Sequence, residues 1–157
     1  MSDALKDPIH ASGQLPRVAV IWNSDRYEVT TKGAWVDVPG AVVPAQVGQG
    51  TPSLGGLFVA TFTAETLIGG QPSVGNLDIT FGGQDGHPQS TNHRYATAQS
   101  AEEWGSLTTI RAFEYPAEPT VRDATIKVKI YLASGNVFGL QNWLLKVERY
   151  PYQNSAF

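Results

Sequence analysis

The chain has 157 residues, enough for one domain with a buried core. Charged residues make up only 16%, below the roughly 25% common in soluble domains, and the net charge of −3 argues against a broad nucleic-acid footprint. With no Cys, disulfide scaffolds, thiolate metal sites and a Cys nucleophile are excluded, and no apolar run approaches the ~18 residues of a membrane span.

The first 16 residues, MSDALKDPIHASGQLP, hold no sustained period and are broken by Pro8, Gly13 and Pro16. They lack a basic start followed by an apolar core, so no secretion signal is expected there. They read as an arm with Leu5, Ile9 and Leu15 as its apolar anchors, ahead of a single domain over residues 17–157.

From Arg17 onward short strands alternate with turn clusters. Strands are expected at 17–22 and 26–31, then at 34–38, ending on the turn signal Pro39-Gly40. Residues 41–47 are extended but contain Pro44, which marks an edge or irregular strand. Residues 57–64 are the most apolar stretch. Phe58, Ala60, Phe62 and Ala64 form one face, and Leu57 and Val59 lie on the other. A strand apolar on both faces is covered on both sides. Leu57 and Val59 are therefore expected at a subunit contact, and the alternating strand 143–149 adds Trp143 and Leu145 to it.

Further strands are expected at 76–81, 93–98, 107–115 and 125–132. The last has the cleanest alternation, with Ile126, Val128, Ile130 and Leu132 inward. Residues 98–104 could form one helical turn. Ser134-Gly135-Asn136 is a hairpin signal, followed by strands at 137–140 and 143–150, read as one bent strand. Eight to ten strands with no long helix between them give an all-β fold. The expected architecture is an antiparallel jelly-roll sandwich, with an immunoglobulin-like sandwich second.

Three stretches carry a resemblance. They are Gly33-Ala34-Trp35-Val36-Asp37-Val38-Pro39-Gly40, then Gly56-Leu57-Phe58-Val59-Ala60-Thr61-Phe62-Thr63-Ala64-Glu65, and Trp143-Leu144-Leu145-Lys146-Val147-Glu148-Arg149-Tyr150. Together they resemble small jelly-roll proteins, similar to C1q and tumour necrosis factor, from actinobacteria and their phages. The resemblance implies a homotrimer. It also implies a structural role in a virion, as a tail or fibre component or a capsid decoration, assembled in the host cytoplasm. It carries over no catalytic residue.

Chemistry-bearing residues were weighed individually. His87 and His93 flank the polar loop 82–92, with Asp78 and Asp85 near in sequence, but the spacing fits no zinc signature. Turn chemistry at Asp85-Gly86 and His87-Pro88 accounts for them, and no metal or cofactor is expected. Glu65 would be a shifted carboxyl only if buried. There is no G-x-S-x-G elbow and no Gly-Lys-Ser/Thr phosphate loop, so an enzyme is not expected. Trp35 and Trp143 read first as core residues, and Tyr27, Tyr95, Tyr150 and Tyr152 as exposed.

The loop 82–92 has too much Gly and Pro for a strand interior and is expected to cross the surface. If it recognises a host surface glycan, Gln84, Asp85, His87, Gln89 and Asn92 supply donors and acceptors, and Tyr95 a stacking face. The partners expected are two further copies of the chain and other virion proteins reached through the arm, with neither nucleic acid nor membrane. A carbohydrate-binding, lectin-like module of a bacterium is the alternative.

Overall fold

The computed structural model describes residues 16–51, 54–69, 73–89, 94–97 and 104–151. The arm residues Leu5, Ile9 and Leu15, the loop residue Asn92 and the expected helical turn lie outside them. Within them the chain is all β, in two facing antiparallel sheets.

Sheet A contains β1 (Arg17–Asn23), β2 (Tyr27–Val29), β5 (Gly56–Gly69), β9 (Trp104–Tyr115) and β12 (Val137–Pro151). Its order is β1-β12-β5-β9, with β2 beside β1 on the same margin of β12. Sheet B contains β3 (Trp35–Val43), β6 (Ser73–Phe81), β7 (Gln84–Asp85), β8 (Arg94–Thr97) and β11 (Ile126–Ser134). Its order is β3-β11-β6, with β7 and β8 both on the far margin of β6. Two short strands, β4 (Gln46–Val47) and β10 (Arg122–Asp123), pair at one end. Chain-distant strands sit side by side in both sheets, as the expected jelly roll requires.

The alternation read from the sequence is the alternation of burial. Phe58, Ala60, Phe62 and Ala64 of β5 meet Ile126, Val128, Ile130 and Leu132 of β11 in the interior. Each such side chain contributes roughly 1.5–3 kcal/mol on full burial. Phe62 packs on Trp143, with ring centroids 5.8 Å apart.

One strand differs from expectation. The chain does not stop at Pro39-Gly40. Residues between Asp37 and Val42 bulge out opposite Val128, and β3 then resumes its pairing with β11. A turn signal inside a long strand is absorbed as a bulge when the flanking residues have a partner to pair with. The final strand is single, as read, with one extra residue between Gln141 and Leu144 and Asn142 at φ 47°.

Candidate functional site

The outer face of sheet A is built by the positions that alternate with the core. Register places Val18, Glu148, Val59 and Ala112 in one row across four strands. The next rows are Val20, Lys146, Thr61 and Ile110, then Trp22, Leu144, Thr63 and Thr108. Leu57 follows on the opposite side, between Tyr150 and Glu114. Most of these side chains are apolar or threonine. Val18 is 59% exposed, Trp22 70% and Ile110 52%.

Most polar groups on this face bond to one another, Glu114 on the margin strand excepted. Lys146 Nζ lies 3.5 Å from Glu148, which also accepts from the Tyr150 hydroxyl at 3.3 Å. The Thr108 hydroxyl lies 3.1 Å from that of Thr63. Glu65 accepts from Gln141 Nε2 at 2.8 Å and Asn142 Nδ2 at 2.9 Å. Those two hydrogen bonds, Gln141 first, hold its carboxyl below the usual carboxylate range. Glu65 thus clamps the bulge in β12; it is not a buried acid.

Sheet B presents a different outer face. Asp37 and Lys127 pair at 3.3 Å, and Lys129 and Asp85 at 2.9 Å. Lys129 Nζ also lies 4.8 Å from the centre of the Trp35 ring, which tilts against Tyr131 at 5.3 Å.

Sequence-predicted residues divide accordingly. Leu57 and Val59 are half-buried on the outer face of sheet A. Trp143 and Leu145 are not there. They are 3% and 0% exposed and face the core. Parity explains the correction. Lys146 and Glu148 mark the outward positions of β12, so 143, 145 and 147 point inward and Leu144 takes the outer place. Trp35, read first as core, is 44% exposed on sheet B. Its strand neighbours Val36 and Val38 hold the inward positions.

The segment from Gly82 is less free than a surface loop. Gly82 and Gly83, at φ 55° and 80°, turn the chain back so that Gln84 and Asp85 pair with Phe81 and Thr80. Gly86 then passes so close to Phe81 and Arg111 that an added Cβ would lie 2.7 Å from the Phe81 ring. Beyond it, the His87 backbone exchanges two hydrogen bonds with Ala112 of β9, at 2.7 and 2.8 Å. Residues 82–87 therefore bridge sheet B to sheet A. The side chains of Gln84, His87 and Gln89 are exposed, and Asp85 is taken by Lys129. Tyr95 pairs through its backbone with Gly75.

Sequence reading missed Arg111. Its side chain is fully buried from β9, and Nε donates to Asp78 at 2.8 Å. No local signal marks it, since Asp78 is 33 residues away. Among the described residues, no group of three or more His, Asp or Glu is placed to hold a metal.

No family model and no curated protein matches the chain. Solved structures do. A chain of infectious bursal disease virus, Gx strain, superposes with TM-score 0.51 and 12% identity over 88% of this chain and 33% of its own. The likeness is one of fold. This chain spans about a third of the viral chain it matches. Eiger TNF from S. frugiperda superposes at TM-score 0.47 and 11% identity, over 89% of this chain and 96% of that one. The sugar-binding EclA C-terminal domain does so at 0.38 and 14%, over 78% and 77%.

Proposed function

We propose that the chain is a non-enzymatic structural module of a virus particle, a jelly roll that assembles as a homotrimer through the outer face of sheet A. The observation that carries this reading is the composition of that face. Val18, Val20, Trp22, Leu57, Val59, Ile110 and Leu144 share one surface, where Lys146 and Glu148 pair with each other and Glu114 stands at the margin strand. Contiguous apolar surface of this kind marks an interaction site. Closed cyclic symmetry lets identical copies cover it and protects the margins of the sheet.

The place on the particle follows the sequence resemblance: a phage tail or fibre component first, a capsid decoration second. The arm, residues 1–16, attaches the module to other virion proteins. Light scattering on the purified chain tests the assembly. A trimer is expected, and a monomer at micromolar concentration overturns the reading.

One observation favours the lectin-like alternative. Exposed Trp35 and half-buried Tyr131 form an aromatic pair on sheet B, with Lys129 over the Trp35 ring and Asp37 opposite Lys129, and aromatic side chains of this kind stack on sugars. Saturable binding on a glycan array, lost in Trp35→Ala, selects that reading.

A further inference from the structure

The inner face of sheet A ends in two arginines side by side. Arg17 of β1 and Arg149 of β12 are direct cross-strand partners. Both occupy inward positions, in line with Ile21 and with Leu145 and Val147. Like charges directly opposite one another in a sheet oppose folding. Among the described residues neither has a carboxylate within ion-pair distance.

Arg149 is held in place. Its Nη2 donates to the Gln46 carbonyl at 2.9 Å, and its guanidinium lies 5.1 Å from the centre of the Phe58 ring. Its Nε is buried and has no acceptor. Burial, and after it the charge of Arg17, holds its pKa below the ordinary arginine value.

Next to this pair a cleft of about 280 Å³ opens between the sheets, with Val43, Phe58, Ile126 and Val147 in its walls. An adjoining depression shares Arg149 and carries Asp123. Its Oδ1 accepts from the Thr125 amide at 3.0 Å and hydroxyl at 2.6 Å, and it forms no ion pair with either arginine. Two cations without a counter-charge beside apolar walls complement an anion with an apolar body.

We propose that this cleft binds a carboxylate carried on a short, unbranched apolar chain. The head engages Arg149 and Arg17, and the chain lies along Ala19, Val43, Pro44 and Ala45, with buried Phe58, Ile126 and Val147 behind them. A carboxylate pairs with two guanidinium nitrogens at once, and of the three nitrogens of Arg149 Nη2 is bonded while Nε and Nη1 are not. Because Nε is enclosed, engagement requires the guanidinium to tilt toward the mouth. The volume stands at the low end of small-molecule sites, roughly 300–1,000 Å³, and so excludes a long-chain lipid.

Titration calorimetry with the native, full-length protein tests this, using sodium octanoate as probe. Saturable binding with Kd below about 1 mM is expected. Acetate, the head without the body, and 1-octanol, the body without the charge, should each bind at least about tenfold weaker. Arg149→Gln should weaken octanoate by about tenfold with the circular dichroism spectrum unchanged. Arg17→Gln, on the margin strand, is the second variant should the first fail to fold, and should weaken binding in the same direction. Absence of saturable octanoate binding overturns the proposal. So does octanol or acetate binding as tightly as octanoate, or full affinity in a folded variant.

Discussion

The two outer faces of this sandwich come from strands with the same alternation, yet they present opposite chemistry. On sheet A the outward positions carry Val, Leu, Ile, Trp and Thr, with Lys146 and Glu148 neutralising each other. On sheet B they carry a lattice of ion pairs, Asp37 with Lys127 and Asp85 with Lys129. Exposed pairs of this kind contribute little to stability, about 0–1 kcal/mol. What they do is keep a surface wet. A face without them is the one that gains from being covered. The difference therefore concerns the surroundings of each sheet more than the fold, since both inner faces supply the apolar core.

The strongest way to break that comparison is to charge sheet A. Leu57→Asp with Val59→Asp should abolish assembly while β structure persists, because an unpaired charge in a contact costs several kcal/mol. Lys127→Glu on sheet B is the matched control and should leave the oligomer mass unchanged. Light scattering and circular dichroism read both. Equal effects from the two faces would erase the distinction.

Asp78 belongs to sheet B but serves the interior, where it partners buried Arg111. Asp78→Ala should cost about 3–5 kcal/mol in chemical denaturation, with no change in oligomer mass when folded. A loss under 1 kcal/mol would show that Arg111 is satisfied without it.

Acid should act on sheet A through Glu65. Its carboxyl sits below its ordinary 4.5, so its stabilising contribution is present above that pH and is lost as pH falls through the lower folded value. Melting temperatures from pH 7 to 3 should show Glu65→Gln losing less on acidification than the parent. Parallel curves would remove Glu65 from the acid response.

The smallest effect is expected at Tyr115. It is buried, its hydroxyl has no partner, and burial pushes its pKa up to about 12. Tyr115→Phe should therefore be neutral or stabilising by up to about 1 kcal/mol. A clear loss in the denaturation midpoint would mean that the hydroxyl is bonded.

Strand alternation made the sandwich legible. Ile126 to Leu132 and Phe58 to Ala64 could be assigned to the core directly, and the opposite parity of Leu57 and Val59 exposed the outer face. The same rule, applied to Lys146 and Glu148, would have moved Trp143 and Leu145 inward. Other features depend on which distant strands become neighbours. Arg17 opposite Arg149, and Arg111 against Asp78, have no signature along the chain. The Gly-rich run from Gly82 suggested a loop because its pairing partners, Thr80, Phe81 and Ala112, become visible only once the sheets are in place.

The backbone exchange between His87 and Ala112 makes the sandwich a hinged book. On that side residues 82–87 sew the covers together, as the spine. On the other, where β1 faces β3, no backbone hydrogen bond joins the sheets among the described residues. Local opening draws on the margin with the fewest ties. Amide exchange in native buffer should then begin at β1, with the Ala112 amide on the opposite margin exchanging more slowly, so that the leaves part at the fore-edge while the spine holds.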